Sequence, residues 1–289
     1  MIVKKHSFKV SSSTLYGVGG GVFGVITVGM MIQSHLAPDT YPTCAERYGN
    51  AAEFALQRST GKLMTAVELQ SKLGGREWGV LQNVAIKAEK TPVSDQAMTI
   101  KFRPGGRSDL ARRQADSGAG FRWQTGFLNK ASAACLSYAV KVPANFKFGN
   151  GGTLPGLSGG KPYETDDVFS ARMRWLEAAR VGIHPVTPKR GNGHLMPLAQ
   201  SWLKLPRDEW FSIEQEIVLN TPGKADGELR VWVDGRLQLN RSQIEFRKES
   251  GQVFTGVILD THYASGKMAW APAPKGTEVK LSPMLVRWK

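Results

Sequence analysis

Apolar and polar residues alternate in short runs over most of the chain after Pro92. Met98, Ile100 and Phe102 alternate with polar neighbours, which is the pattern of a β-strand with one buried face. Runs of this kind predict strands at 98–103, 136–142, 168–175, 211–219, 228–233, 244–246, 253–259 and 279–286. Many short strands without alternating helices predict a mainly β fold, a β-sandwich of jelly-roll type over residues 92–289. Asp234-Gly235 follows one run directly and predicts a hairpin turn.

The chain before the predicted sandwich has a different periodicity. Between residues 44 and 75 the apolar residues cluster at helical spacing, and Gly74-Gly75 would end a second helix. We predict one or two helices that pack on the main domain. Residues 36–91 are therefore interpreted as a linker followed by a helical extension.

The first 35 residues have the pattern of a targeting segment. Lys4, Lys5 and Lys9 precede an uncharged, mostly apolar run over residues 15–32. A run of this length is short for a membrane-spanning helix and long for the core of a signal peptide. Because positive residues stay on the cytoplasmic side, we predict an uncleaved signal anchor, with a cleaved signal peptide as the alternative. Either way the rest of the chain would be exported, to the periplasm or the cell exterior.

A glycine-rich segment follows the strand predicted at 136–142. Six glycines lie between residues 149 and 160, which predicts a loop that lets the backbone approach a ligand closely. A phosphate-binding P-loop is not supported, because Gly156 to Gly160 is one residue too short and Pro162 replaces the required hydroxyl residue. A purely structural turn between strands is the alternative interpretation.

Charge and cysteine content narrow the possible partners. The chain has 38 Lys and Arg against 24 Asp and Glu, which gives a net charge of +14. This excess favours a polyanion as binding partner, and the alternative interpretation is an ordinary basic surface without such a partner. We expect no nucleic-acid partner, since no known binding module is present and export is predicted. Cys44 and Cys135 either form one disulfide or remain separate thiols. The chain has no His/Cys cluster with zinc-site spacing, so we expect no metal.

The glycine-rich segment resembles a motif of the polysaccharide lyases of family 14, "F-x-F-x-x-GGKLPGLxGG". Phe146 and Phe148 match its two aromatic positions, and the glycines and Leu-Pro-Gly-Leu follow in order. Thr153 stands where the family usually has a lysine.

Three further segments are similar to that family. Residues 169–175 resemble its "FSxRxxW" strand, and residues 210–235 resemble its "W-x-x-i-x-Q … N-T-P-G … DG-x-l-x-v-W-x-DG" strand pair. Residues 257–263 resemble a late strand that usually ends in "TFFGG". The resemblance covers about residues 95–288 and implies a concanavalin A-like jelly roll.

The resemblance also implies a reaction, the cleavage of uronate polysaccharides by β-elimination. A cation stabilises the charge that develops on the sugar carboxylate, a base removes the C5 proton, and an acid protonates the leaving oxygen. No metal or redox cofactor is implied.

Candidate site residues follow from the matched positions. Arg172 matches the motif arginine and suits bidentate contact with a carboxylate, and Ser170, Arg172 and Arg174 should share one face of their strand. His184 lies where the family usually has Tyr-x-Tyr and is the candidate base. Tyr263 is the candidate acid, although it and His262 should point to opposite faces. The candidate catalytic residues are Arg172, His184, Tyr263 and Ser170, and the candidate substrate-binding residues are Arg174, Arg103, Thr153, Lys161 and His262.

We therefore expect Arg172, Ser170, Arg174, His184 and Tyr263 to line one groove. The first hypothesis is an exported, membrane-anchored lyase that acts on an anionic polysaccharide such as alginate or a glucuronate polymer. The alternative is a non-catalytic carbohydrate-binding protein on the same scaffold.

Overall fold

The described part of the chain consists mainly of β-strands. The computed structural model describes residues 41–74, 77–105, 108–109, 114–115, 117–160, 168–188, 191–192, 194–199, 203–264 and 271–289. The chain divides into two units, Met1–Tyr41 and Pro42–Lys289, and the second is described below. The predicted anchor and Lys161 lie outside the described residues. Within those ranges, no helix has both the length and the apolar character needed to cross a membrane.

Helices are few and short in the described ranges. The α-helices are α1 (Cys44–Arg47), α2 (Ala66–Leu73) and α3 (Val80–Asn83), and 3-10 turns span Gly126–Lys130 and Glu177–Ala179. The strands are β1 (Asn50–Phe54), β2 (Val84–Ala88), β3 (Gln96–Phe102), β4 (Ser108–Asp109), β5 (Gln114–Ala115), β6 (Ala119–Gln124), β7 (Ala133–Lys141), β8 (Gly152–Gly160), β9 (Val168–Trp175), β10 (Val181–Thr187), β11 (Gly191–Asn192), β12 (Met196–Pro197), β13 (Phe211–Val218), β14 (Gly227–Val233), β15 (Arg236–Ile244), β16 (Phe254–Thr261), β17 (Thr277–Leu281) and β18 (Met284–Trp288).

The strands form two large antiparallel sheets. One has the order β15-β14-β13-β7-β17-β3-β2, with β18 pairing with β7 and β1 pairing with β18. The other has the order β11-β10-β9-β8-β16-β6, with β12 pairing with β10, while β4 and β5 form a separate pair. The predicted mainly β sandwich is confirmed.

The apolar core lies between the two sheets. The odd-numbered residues 169–175 of β9 are fully buried there, together with Met98 and Ile100 of the opposite sheet. Tyr138 spans the core from that sheet, and its hydroxyl donates to the Pro155 carbonyl at 3.1 Å. One face of each sheet is therefore packed in the apolar core.

The glycine-rich segment is a strand from Gly152 onward, where we predicted a loop. Residues 149–151 precede this strand, β8, which pairs with β9 on one side and β16 on the other and is buried throughout. A Cβ added at Gly152 would lie 1.9 Å from the Trp175 ring, and one at Gly159 would lie 2.0 Å from the Phe169 ring. These glycines leave the space that neighbouring aromatic rings fill, so they do not mark a loop.

The predicted helical extension is only partly helical. α2 is confirmed, and its N-cap Thr65 accepts a hydrogen bond from the Glu68 amide at 3.2 Å. The first predicted helix is wrong, because residues around Phe54 form β1 and pair with β18. The Phe54 ring packs against those of Phe121 and Trp123, with centroids 5.2 and 5.3 Å apart. This pairing and packing override the local helical spacing.

Two other strand predictions need correction, and the hairpin is confirmed. The run 279–286 is two strands interrupted at Pro283, whose nitrogen cannot donate to the ladder. Residues 244–246 are not a separate strand, because β15 ends at Ile244. Asp234 and Gly235 connect β14 to β15 with φ angles of 47° and 75°, the positive values that a tight hairpin turn requires.

A disulfide attaches the segment before β1 to the outside of the first sheet. Cys44 and Cys135 are bonded across a separation of 91 residues, so of the two alternatives the structure has the disulfide. Nearby, the fully buried carboxylate of Glu216 accepts from Arg47 and Arg230 at 2.7 Å each. The covalent bond and the ion pairs together hold α1 against β7 and β13.

Candidate functional site

The side chains of β9 divide between the core and the opposite face of its sheet. The odd-numbered residues of β9 enter the core, so Ser170, Arg172 and Arg174 belong to the other face, as their spacing predicted. The Arg172 side chain is 15% exposed, whereas Arg174 is completely buried. We call the polar face formed by these residues and their neighbours on β8, β10 and β16 the arginine face.

His184 lies directly beside Arg172. The two residues are register partners in the β9–β10 pair, which places their side chains on one face with Cβ atoms about 4.5–5.5 Å apart. Ser170 is two residues from Arg172 on the same strand. The structure therefore brings together three of the four predicted catalytic residues.

Arg172 also reaches across β8 to β16. Its register partner on β8 is Gly156, which has no side chain to block the path. The Nη1 atom of Arg172 donates to Oδ2 of Asp260 at 2.8 Å. The other carboxylate oxygen of Asp260 lies 3.5 Å from Nε2 of His262. Asp260 therefore bridges a guanidinium and an imidazole.

The charges around Asp260 keep it ionised. Burial opposes the charged form, but the His262 side chain and the charges of Arg172 and Arg122 outweigh it and lower the pKa of Asp260 below its ordinary value. Asp260 was missing from the predicted site. Its spacing from His262, two residues along a strand, was the signal that could have found it.

Both ring nitrogens of His262 are directed at protein atoms. Nδ1 is 2.8 Å from the carbonyl oxygen of Tyr263, which can only accept, so Nδ1 carries a proton. Nε2 is then the nitrogen that faces Asp260. We expected His262 to contact substrate, but in the structure its Nε2 atom faces Asp260.

Arg174 is a buried cation next to Arg172. Its guanidinium points at the carbonyl oxygens of Gly152 and Ala264, each 3.5 Å away. Burial and the neighbouring charge of Arg172 lower the pKa of Arg174 to about 10, so it stays charged at neutral pH. It contributes positive potential to the arginine face without being exposed.

Thr153 is buried and bonded to the main chain. Its hydroxyl donates to the carbonyl oxygen of Asp260, and its amide donates to the carbonyl oxygen of His262 at 3.0 Å. Thr153 therefore joins β8 to the end of β16. It does not present a polar group to a ligand, contrary to the expectation of substrate contact.

Tyr263 does not lie on the arginine face, so the predicted groove is wrong in this position. Its ring packs in the core at 5.0 Å from Phe102 and 5.5 Å from Trp175. Its hydroxyl donates to the carbonyl oxygen of Lys147 at 2.6 Å. Burial raises the pKa of Tyr263 well above its ordinary value. The strand alternates, and the aromatic ring of Tyr263 takes the core side while His262 takes the other.

The structure does not bring Arg103 to the arginine face either. Arg103 is exposed just after β3 and lines a separate cavity of about 610 Å³ together with Lys101 and Asn145. Lys161, the remaining predicted residue, lies outside the described ranges.

The chemistry available on the arginine face is that of cations beside an imidazole. In the part of the chain that the structure describes, the one group with metal-ligand geometry is Cys44, Cys135 and Glu214, and its two sulfur atoms are bonded to each other. The arginine face instead offers Arg172 for an anion, the buried positive charge of Arg174 beside it, and His184 for a proton. Such a set suits an anionic substrate that must lose a proton.

Comparison with known proteins identifies the fold. A sequence profile of the family described as polysaccharide lyase 14 matches residues 90–281. Among solved structures, the chain is similar to a marine PL-14 alginate lyase from Aplysia kurodai, with a TM-score of 0.65 and 20% identity over 84% of this chain and 99% of that one. It is also similar to the alginate lyase vAL-1 from a Chlorella virus, with a TM-score of 0.62 and 20% identity over 77% and 97% of the two chains.

A third similar structure contains a saccharide. It is a mutant of the alginate lyase Aly36B in complex with an alginate trisaccharide, with a TM-score of 0.61 and 14% identity over 83% of this chain and 98% of that one. No curated protein matches the sequence. At these identities the likeness shows a shared jelly-roll sandwich.

Proposed function

The chain belongs to the polysaccharide lyase 14 family, and we propose that it cleaves a uronate polysaccharide by β-elimination on the arginine face. The observation that carries the proposal is the register pairing of His184 with Arg172. It puts a group that can take a proton beside a cation that can hold a carboxylate. Neither side chain is used in the apolar core.

The reaction assigns a role to each of these groups. His184 takes the proton from C5, and the electrons of the C5–H bond form the C4=C5 double bond. The C4–O bond breaks, and its electrons go to the glycosidic oxygen. The imidazolium of His184 returns a proton to that oxygen when both lie on the same side of the sugar ring. Negative charge builds on the carboxylate meanwhile, and Arg172 stabilises it.

Asp260 and Arg174 set the position and charge of Arg172. The Asp260 carboxylate accepts from Nη1 of Arg172 at 2.8 Å and so fixes the direction in which the guanidinium points. Arg174 adds a second positive charge close by. We assign Asp260 as a positioning residue.

Alginate is the first polymer to test. The similar solved structures are described as alginate lyases, and one holds an alginate trisaccharide. The net charge of +14 suits any polyuronate, so glucuronate polymers are the second choice.

We also propose that the protein is exported and acts in the periplasm or outside the cell. The Cys44–Cys135 disulfide supports this, because disulfides persist in oxidising compartments. The basic and apolar pattern of residues 1–35 supports it as well, either as a membrane anchor or as a cleaved signal.

The experiment that tests the activity is product analysis on defined polymers. The purified protein is incubated with polymannuronate, polyguluronate and polyglucuronate, and ultraviolet absorbance follows the conjugated unsaturated uronate. Mass spectrometry should find ends lighter by one water than hydrolysis would produce. Absence of such ends on every polyuronate would reject the proposal.

One observation favours a second candidate, a carbohydrate-binding protein without catalysis. Thr153, at the position of the family's usual lysine, is wholly buried, and Tyr263 is in the core. Two groups that could assist proton transfer are therefore missing from the arginine face. Retention of polyuronate by the wild type, without any unsaturated product, would select this candidate.

A further inference from the structure

The cavity at the end of β3 is separate from the arginine face. Its volume is about 610 Å³, within the range of small-ligand sites. Lys101 and Arg103 provide cations, Gln82 and Asn145 provide amides, and Pro104 and Pro143 provide apolar surface. This mixture matches a uronate sugar, which has a carboxylate, several hydroxyls and apolar C–H faces.

The cations of the cavity are available for a ligand. Lys101 and Arg103 are both exposed and lie two residues apart, and within the described ranges neither forms an ion pair. Among the described lining residues the one carboxylate is Glu278, which is the register partner of Lys101 and lies 4.0 Å from Lys280. The local charge of the cavity is therefore positive overall.

The cavity wall is connected to the strand that carries Asp260. Asn83 lines the cavity, and its Nδ2 donates to the carbonyl oxygen of Gly118 at 2.8 Å. Gly118 packs tightly against β16, since a Cβ there would lie 2.4 Å from the Thr261 carbonyl oxygen and 3.3 Å from Cα of His262. A single residue thus separates the cavity wall from the end of the arginine face.

We propose that this cavity is a second binding site, which holds a uronate unit of the polysaccharide away from the arginine face. Arg103 and Lys101 bind the carboxylate, and the amides of Gln82 and Asn145 bind hydroxyls. The proposal rests on the proposed function for the class of polymer, but binding here does not require catalysis.

The test measures binding in a protein whose first site, on the arginine face, is weakened. The full chain carrying Arg172→Ala is titrated calorimetrically with alginate oligosaccharides and with glucuronate oligosaccharides. Adding Arg103→Ala should weaken the remaining binding about tenfold, the effect of losing one charge-assisted contact. Lys101→Ala should act in the same direction. The matched control is Lys87→Ala, which removes one exposed charge from the neighbouring strand β2 outside the cavity.

The outcomes separate this proposal from the proposed function. If Arg103→Ala and Lys87→Ala weaken binding equally, the oligosaccharide is attracted only by the net charge of the protein. The second-site proposal is then wrong, whether or not the wild type has lyase activity. If the wild type makes no unsaturated product but Arg103→Ala selectively weakens binding, the second site stands and the lyase proposal fails. Asn145→Ala gives an independent check, because it removes a hydrogen-bonding group without changing charge.

Discussion

Arg172 and Asp260 lie on strands that are separated by β8, yet their side chains form an ion pair of 2.8 Å. The path between them passes Gly156, which pairs with Arg172 on one side and with Ile258 on the other. The same carboxylate faces His262 at 3.5 Å. The guanidinium on the arginine face is therefore held in place before any substrate arrives, which lowers the cost of ordering it on binding.

The role of His184 as base predicts a particular pH profile. Wild-type activity should rise with pH as the base loses its proton. His184→Gln should lower kcat by about 10²–10⁴ and remove the rising limb. The control is His194→Gln, which changes an exposed histidine. A rising limb that survives in His184→Gln would assign the proton transfer to another group.

The Arg172–Asp260 pair should make stability depend on pH in a defined direction. The pKa of Asp260 is lowered in the folded protein, so its stabilising effect is present above the unfolded pKa of about 3.9 and is lost as the pH falls through the folded value. Asp260→Asn should therefore cost about 2 kcal/mol in the free energy of unfolding at neutral pH. The difference between variant and wild type should shrink in strong acid. Urea unfolding at both pH values measures it, and a constant difference would contradict the assigned ion pair.

The sequence could predict those features of the site that depend on the alternation of side chains along a single strand. The spacing of Ser170, Arg172 and Arg174 was enough to place them on one face, and Asp234-Gly235 was enough to place a hairpin. The placement of His184 and Arg172 in one groove was expected only through the family resemblance. That the two residues lie side by side depends on the register between β9 and β10, which the sequence alone does not give.

What the sequence did not reveal depends on contacts between distant segments. Two positions of β8 require glycine because the Trp175 and Phe169 rings occupy the space that a Cβ atom would need, and the sequence does not show that these rings are adjacent. Tyr263 has a hydroxyl that suits an acid, but its ring is drawn into the core. Asp260 belongs to the site because it forms an ion pair with Arg172, which is 88 residues away in the chain. Apart from the two-residue spacing of Asp260 and His262, none of these relations leaves a local pattern in the sequence.

The glycine packing of β8 gives a stability prediction. In Gly159→Ala the new Cβ would meet the Phe169 ring at 2.0 Å, and overpacking of this kind costs about 1–3 kcal/mol. Gly126→Ala is the matched control, because nothing lies within 4 Å of a Cβ there. Thermal unfolding of the two variants compares them. Equal stability would mean that β8 does not pack against Phe169 as described.

The disulfide should contribute to stability through the length of chain it closes. Cys44 and Cys135 are 91 residues apart, so the Cys44→Ser/Cys135→Ser double variant should lose about 2–4 kcal/mol of unfolding free energy. Reducing agent should destabilise the wild type by a similar amount and leave the double variant unchanged. A wild type that is insensitive to reductant under unfolding conditions would argue against the bond.

The most direct measurement is the rate of unsaturated uronate formation by Arg172 variants. Arg172→Ala should lower this rate about a hundredfold or more, because the charge that develops on the carboxylate loses its partner. Arg172→Lys should recover only part of it, since an ammonium cannot form the bidentate contact. Arg236→Ala, which removes an exposed arginine from β15, should leave the rate unchanged. If Arg172→Ala forms product as fast as Arg236→Ala, β-elimination does not take place on the arginine face.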